Sequence, residues 1–179
     1  MSRLRTRIRR RLRLLVRHEG AATALEFALV APPFLFMILA IFELALVYLV
    51  SVTLDSATQQ ASRIIRTGEA QSGSYTSAKF TKLVCDNMGW LASQCTSNLY
   101  VDSEVKTTFG SSNPNSPVQN GTWTSSNLKF DMGGSGDIIV IHTYYQWKLI
   151  TPVLYGGLQN LPNGIKVVVA ATTFRNEPF

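Results

Sequence analysis

From residue 27 to residue 52 the chain is apolar or small, with one charged side chain, Glu43, in twenty-six positions. At about 1.5 Å per helical residue such a run reaches about 39 Å, more than the roughly 30 Å of a bilayer's hydrocarbon core. One membrane-spanning helix is predicted here. Beyond it Leu54, Ala57, Ala61, Ile64 and Ile65 recur at spacings of three and four, so the helix is expected to continue to about residue 66 and to cover a folded domain with its second half. Thr67-Gly68 is the expected end, and residues 71–74 read as a polar loop. Phe80, Leu83, Val84 and Met88 form the apolar stripe of a second helix over 77–91. Residues 99–109 alternate imperfectly, with Leu99, Val101, Ser103 and Val105 against Tyr100, Asp102, Glu104 and Lys106, as a half-exposed strand does. Residues 110–127 are rich in Gly, Ser, Asn and Pro and read as a long surface loop around Trp123. The glycine-rich turn at 133–137 leads into an apolar and aromatic strand over 138–150, and 165–174 is the last strand. The predicted class is α+β: a long N-terminal transmembrane helix continuing into a small domain, with a second helix and an antiparallel sheet of about three strands.

Charge gives this plan a direction. Eight of the seventeen basic residues and one of the eleven acidic ones lie in the first nineteen positions, so this leader carries +7 and the remainder −1. The basic pI near 9.6 therefore belongs to the leader. Arg3, Arg5, Arg7, Arg9, Arg10, Arg11, Arg13 and Arg17 adjoin the apolar run, and the positive-inside rule keeps them in the cytoplasm. The expected organisation is a basic cytoplasmic leader over 1–20, a transmembrane helix over 21–52 and an extracytoplasmic domain over 53–179. An arginine-rich arm can also bind nucleic acid through phosphates, but the neighbouring span accounts for it better, and no nucleic-acid partner is expected.

Three readings compete for the apolar segment: a cleaved secretory signal, a permanent anchor, and a leader cut ahead of the span. A secretory signal has a core of roughly 7 to 15 residues and a small-x-small cleavage site, and this core is longer and lacks one. The junction itself runs Gly20, then the small or apolar residues 21–25, then Glu26-Phe27, Ala28-Leu29-Val30-Ala31 and Pro32. In this it resembles the TadE-like family, minor pilins or pseudopilins of the tight-adherence (Tad/Flp) pilus, over about residues 17–60. The closing residues 170–179 look like endings found among such proteins. The resemblance implies a pilin-like fold in the bacterial inner membrane with its domain on the periplasmic side. It also implies cutting by a prepilin peptidase at a site formed by Gly20, Ala21, Ala22, Glu26 and Phe27, and partnership with other pilus subunits and their assembly platform, in pilus assembly and adhesion. Prepilins usually place the glutamate fifth after the cut. Glu26 is sixth after Gly20 and fifth after Ala21, so both bonds remain candidates.

Each glutamate in the apolar helix costs roughly 2.5 to 3.5 kcal/mol at the bilayer centre, which the ten Phe, Leu, Val and Ile residues from 27 to 42 offset at roughly 0.3 to 0.6 kcal/mol each. Glu26 either pairs with the free α-amine of a neighbouring subunit or sits at the cytoplasmic interface. Glu43 is expected near the far interface, its carboxylate snorkelling to water. Pro32 and Pro33 remove two backbone donors and should bend the helix, either as an ordinary kink or as a weak point that yields on subunit contact.

Cys85 and Cys95 both fall in the part expected outside the cytoplasm, where a disulfide is the favoured reading and a free buried pair the alternative. Their spacing lacks a CxxC pattern, and His18 and His142 fall on opposite sides of the predicted membrane, so no metal site or cofactor is expected. The glycine-rich turn lacks the Lys-Ser/Thr ending of a phosphate-binding loop. His142, inside a strand, is expected to be a packed or surface imidazole, so neither an enzyme nor a small-molecule substrate is expected. Trp90, Trp123, Tyr144, Tyr145 and Trp147 are expected as core or cross-strand aromatics before any glycan contact. The competing functional class is an unprocessed single-pass envelope protein whose outer domain binds a protein or glycan.

Overall fold

The computed structural model of the chain describes residues 19–109 and 116–179, with backbone alone at 19–22. The arginine block and the first part of the loop expected over 110–127 lie outside the described residues. The chain divides into two compact units, Met1–Phe42 and Glu43–Phe179.

Helix α1 (Glu19–Arg66) belongs to both units and remains helical through Pro32 and Pro33. In the first unit its side chains from 23 to 42 are almost all exposed, Phe27, Leu29, Phe34 and Phe42 among them, and the helix is long and apolar enough to cross a membrane. In the second unit one face turns inward. Val50, Leu54, Ala57, Ala61 and Ile65 are fully buried, with Val47 and Ile64 packed beside them. Each larger aliphatic on this stripe contributes about 1.5–3 kcal/mol by leaving water. Small side chains at Ala57, Thr58, Ala61 and Ser62 let the helix backbone come close to the sheet, where the Thr58 and Thr143 hydroxyls meet at 2.7 Å. Gly68, at φ +83°, turns the chain after α1, and the Phe179 ring fills the space that a Cβ there would need.

A short helix, α2 (Glu69–Ser72), takes the first two residues of the expected polar loop, and Gly73 and Ser74 form the turn that follows. Helix α3 (Ser77–Asn87) is capped by Thr76, whose hydroxyl accepts the Lys79 N–H, and it buries Phe80 and Val84. It stops four residues short of the predicted end. Gly89 takes φ +56°, which breaks the helical path, and a 3₁₀ turn (Gly89–Leu91) and α4 (Ala92–Cys95) follow.

The main sheet is antiparallel with β4 (Ile138–Lys148) between β1 (Leu99–Lys106) and β5 (Ile165–Arg175). In β4, Ile139, Ile141, Thr143 and Tyr145 face the helices, and Val140, His142 and Tyr144 face the other way. The helical part of the domain spans 23 steps from Glu43 to Arg66, about 34 Å, and β4 spans ten steps, about 33 Å, so helix and sheet cover each other end to end. The second sheet face is also covered. A hairpin of β2 (Val118–Gln119) and β3 (Thr122–Trp123), turned by Asn120-Gly121 at φ +50° and +72°, lays Trp123 against Tyr100 and Tyr144. Asn-Gly is the dipeptide that such a tight hairpin turn requires, so the second half of the expected loop is structured.

Candidate functional site

The junction lies at the start of α1. Gly20, Ala21 and Ala22 have helical backbone, while Glu26, Phe27 and Pro32 follow with exposed side chains, Phe27 at 74 %. An exposed carboxylate followed by exposed large apolar groups on one continuous helix is a surface that needs lipid or other helices around it.

Glu43 departs from expectation. It is 2 % exposed, and its carboxylate accepts three donors from the chain that follows β4. The Ile150 N–H donates to both oxygens at 3.1 and 3.2 Å, and the Thr151 N–H and hydroxyl each donate to Oε2 at 3.0 Å. Successive backbone N–H groups make an anion-binding concavity, here filled by a side chain of the same chain. Thr151 precedes the 3₁₀ turn Pro152–Leu154, and Pro152 has no N–H of its own. The glutamate therefore does not snorkel. It latches α1 to the far end of the sheet. The signal was present in the α1 stripe: stepping back from Val50 by three and then four reaches Val47 and Glu43, on the buried face.

Cys85 and Cys95 are bonded, with Cα atoms 5.5 Å apart, and join α3 to α4 just ahead of β1. They sit far in sequence from the junction and serve the domain core, where both are buried.

On the hairpin side, β1 pairs Asp102 with His142 and Tyr100 with Tyr144. Asp102 is buried and accepts the Lys129 N–H at 2.8 Å. Glu104, salt-bridged to Lys106, has its carboxyl held below the usual range by that hydrogen bond. Burial pushes the Tyr144 hydroxyl up to about 12. Burial also pushes the His142 imidazole below 6.5, against the opposite pull of Asp102 and Glu104. The folded chain thus holds a neutral ring that the unfolded chain would protonate. This stabilisation is complete above pH 6.5 and is lost as pH falls below it. Thermal unfolding of the His142→Gln variant is expected to lose that part of the pH slope. A slope identical to the parent's would contradict the assignment.

A polar groove of about 420 Å³ lies between the last turns of α1 and β5, lined by Gln59, Gln60, Arg63 and Arg66 with 172–174 of the strand. Arg66 is already paired with Glu177 at 3.2 Å. No group of three or more His, Cys, Asp or Glu side chains suited to a metal occurs among the described residues.

Residues 20–63 match the family model for TadE-like proteins, the family that the stretch from Gly20 to Pro32 resembles. The match begins at the glycine of the junction and ends within the domain-facing half of α1. Neither the curated proteins nor the solved structures contain a match to the chain.

Proposed function

We propose that this chain, with its TadE-like segment, is a structural minor pilin or pseudopilin of a Tad/Flp-type pilus, processed by a prepilin peptidase and active in pilus assembly and adhesion. The observation that carries this reading is the family match, because it covers the junction and the helix together. The leader stays in the cytoplasm, α1 crosses the bacterial inner membrane once, and the α+β domain stands in the periplasm or on a filament. Its partners are the peptidase, other Tad subunits and the assembly platform. The role is mechanical and assembling, with no catalytic step. The exposed girdle of Phe, Leu and Ile on α1 supports it, since a helix that leaves the bilayer for a filament must exchange lipid for neighbouring helices. After cleavage, Glu26 receives the new α-amine of an adjacent subunit and sets the axial register.

The test is the intact mass and N-terminal sequence of the protein from membranes of cells with and without a prepilin peptidase. The expected result is a terminus at Ala21 or Ala22 that depends on the peptidase. A leader retained in both strains would leave an unprocessed single-pass envelope protein with a partner-binding domain as the better account.

A further inference from the structure

The two outer strands of the main sheet have differently finished edges. At β1 the free edge is closed in its middle, where the Ser103 N–H donates to the Lys129 carbonyl and the Asp131 N–H donates to the Ser103 carbonyl, both at 2.9 Å. At β5 the edge is closed only toward its ends. The β4–β5 ladder extends through the Leu149 N–H on the Gly164 carbonyl and the Asn176 N–H on the Asp137 carbonyl. Alternation along an antiparallel pair then makes the even-numbered residues of β5 bond to β4 and turns the N–H and C=O of the odd-numbered ones outward. Ile165 and Val167 are served by the turn before the strand: the Asn160 N–H donates to the Ile165 carbonyl, and the Asn160 side-chain carbonyl accepts the Val167 N–H at 2.6 Å. Past the strand, the Glu177 N–H donates to the Arg66 carbonyl at 2.9 Å. Between these closures the outward backbone groups of Val169, Ala171, Thr173 and Arg175 have no hydrogen-bond partner among the described residues. Six strand steps from 169 to 175 make about 20 Å of open edge.

A long free edge is ordinarily blunted by charge, proline or a bulge, because it templates pairing with any extended chain. The register of β5 is unbroken over its 11 residues, and the stretch 167–174 has neither a charge nor a proline. The polar groove beside α1 runs along this same edge. Val168, Ala170 and Phe174 pack toward α1, so Thr173 turns its side chain to the opposite face and meets the groove with its outward backbone. The facing wall is the exposed side of α1, with the amides of Gln59 and Gln60 and the guanidiniums of Arg63 and Arg66. Gln59 and Gln60 donate along the helix to Asp55 and Ser56, and Arg66 pairs with Glu177. The Arg63 side chain has neither an ion pair nor a hydrogen bond among the described residues. An unpaired guanidinium beside unpaired strand backbone fits a carboxylate carried in on an added strand, which would bond to β5 along its length and to the arginine through one side chain.

We infer that the β5 edge from Val169 to Arg175 is the docking site for an extended segment of another protein, which joins the main sheet as a fourth strand and sets a carboxylate against Arg63. A second copy of this chain fits the edge less well. No acidic residue occurs from 165 to 175, and antiparallel pairing of two β5 strands would bring Arg63 toward its own counterpart on one face of the joined sheet. All of these residues lie in the Glu43–Phe179 unit, so the inference is independent of leader cleavage and of a membrane span.

The experiment adds a synthetic peptide, Thr-Val-Glu-Val-Glu-Val-Thr capped at both ends, to the full chain in detergent and follows amide hydrogen exchange residue by residue by NMR. Both glutamates of this peptide fall on one face of a strand. A second peptide has lysine in place of each glutamate. The expected result, at about 1 mM acidic peptide, is exchange slowed about tenfold or more at the Val169, Ala171 and Thr173 N–H groups, with the even-numbered amides unchanged because they are already bonded to β4. The lysine peptide is expected to bind about tenfold more weakly, and Arg63→Glu to reverse that order. Arg63 is exposed, so its replacement leaves the core intact. No slowing with either peptide overturns the docking edge. Equal slowing by both peptides, unchanged in Arg63→Glu, overturns the carboxylate. Slowing that grows with protein concentration in the absence of peptide assigns the edge to a second copy and overturns the foreign strand.

Discussion

Glu43→Leu is expected to destabilise the domain by about 2–4 kcal/mol, although leucine suits a membrane helix far better than glutamate does. The substitution removes the acceptor for three donors, the Ile150 and Thr151 N–H groups and the Thr151 hydroxyl, in a segment where the carboxylate itself is 2 % exposed. A buried donor left without a partner costs about 1–3 kcal/mol, and water reaching the exposed Ile150 recovers part of that sum. Glu43→Gln keeps one oxygen, and Thr151→Val removes only the hydroxyl, so each is expected to cost about 1 kcal/mol. Urea unfolding of the four proteins in detergent, followed by tryptophan fluorescence, gives the order. If the leucine variant were as stable as the parent or more so, the glutamate would be only tolerated by the helix and the latch would carry no load.

The latch also marks where sequence reasoning reached its limit. The apolar run, the stripe at Leu54, Ala57, Ala61 and Ile65, the three antiparallel strands and the α+β class are all local patterns with periods of two or 3.6, and each appears in the structure. Glu43 depends on a contact 107 residues away in the chain. No periodicity carries that. Its place on the stripe was a local signal, but an apolar surrounding sequence suggested lipid on every side, and a charge amid apolar residues reads as an interfacial one. The hairpin over Tyr144 was missed for another reason. Strands of two residues leave too short an alternation to detect, although the Asn120-Gly121 turn was visible. The shortened α3 turns on Gly89, whose left-handed conformation is a choice the glycine permits and does not announce. At the junction, the residues from Gly20 to Pro32 are contiguous in the chain, so the likeness they carry could be read from the sequence alone.

Loss of the Cys85–Cys95 disulfide is expected to cost about 2–3 kcal/mol. The bond closes a loop with a sequence separation of 10, and in the chain-entropy account a closure of that size restricts the unfolded ensemble by about this amount. Cys85→Ala with Cys95→Ala is the suitable variant, because both sulfurs lie in the apolar core and a serine there would bury an unmatched hydroxyl. Parent protein unfolded in urea with and without a strong thiol reductant should show the same difference as the parent and the double variant. Agreement of the two measures would place the effect in the cross-link. A larger loss in the variant would add the cavity left by two missing sulfur atoms.

The helix that anchors the chain is the helix on which its domain is built, and this decides how tension travels. A pull on the apolar part of the helix enters the domain at Glu43 and runs along the seam between α1 and the sheet, since the Glu43–Arg66 part of the helix and β4 are nearly equal in length. The stripe from Val50 to Ile65, the Thr58–Thr143 hydroxyl pair and the Glu43 latch then bear the load together, in shear. Contacts sheared side by side yield as a group, whereas contacts peeled from one end yield in turn. A stalked domain joined through a flexible linker would keep its fold isolated from such a load. Here the hold on the apolar helix and the strength of the fold are one mechanical property.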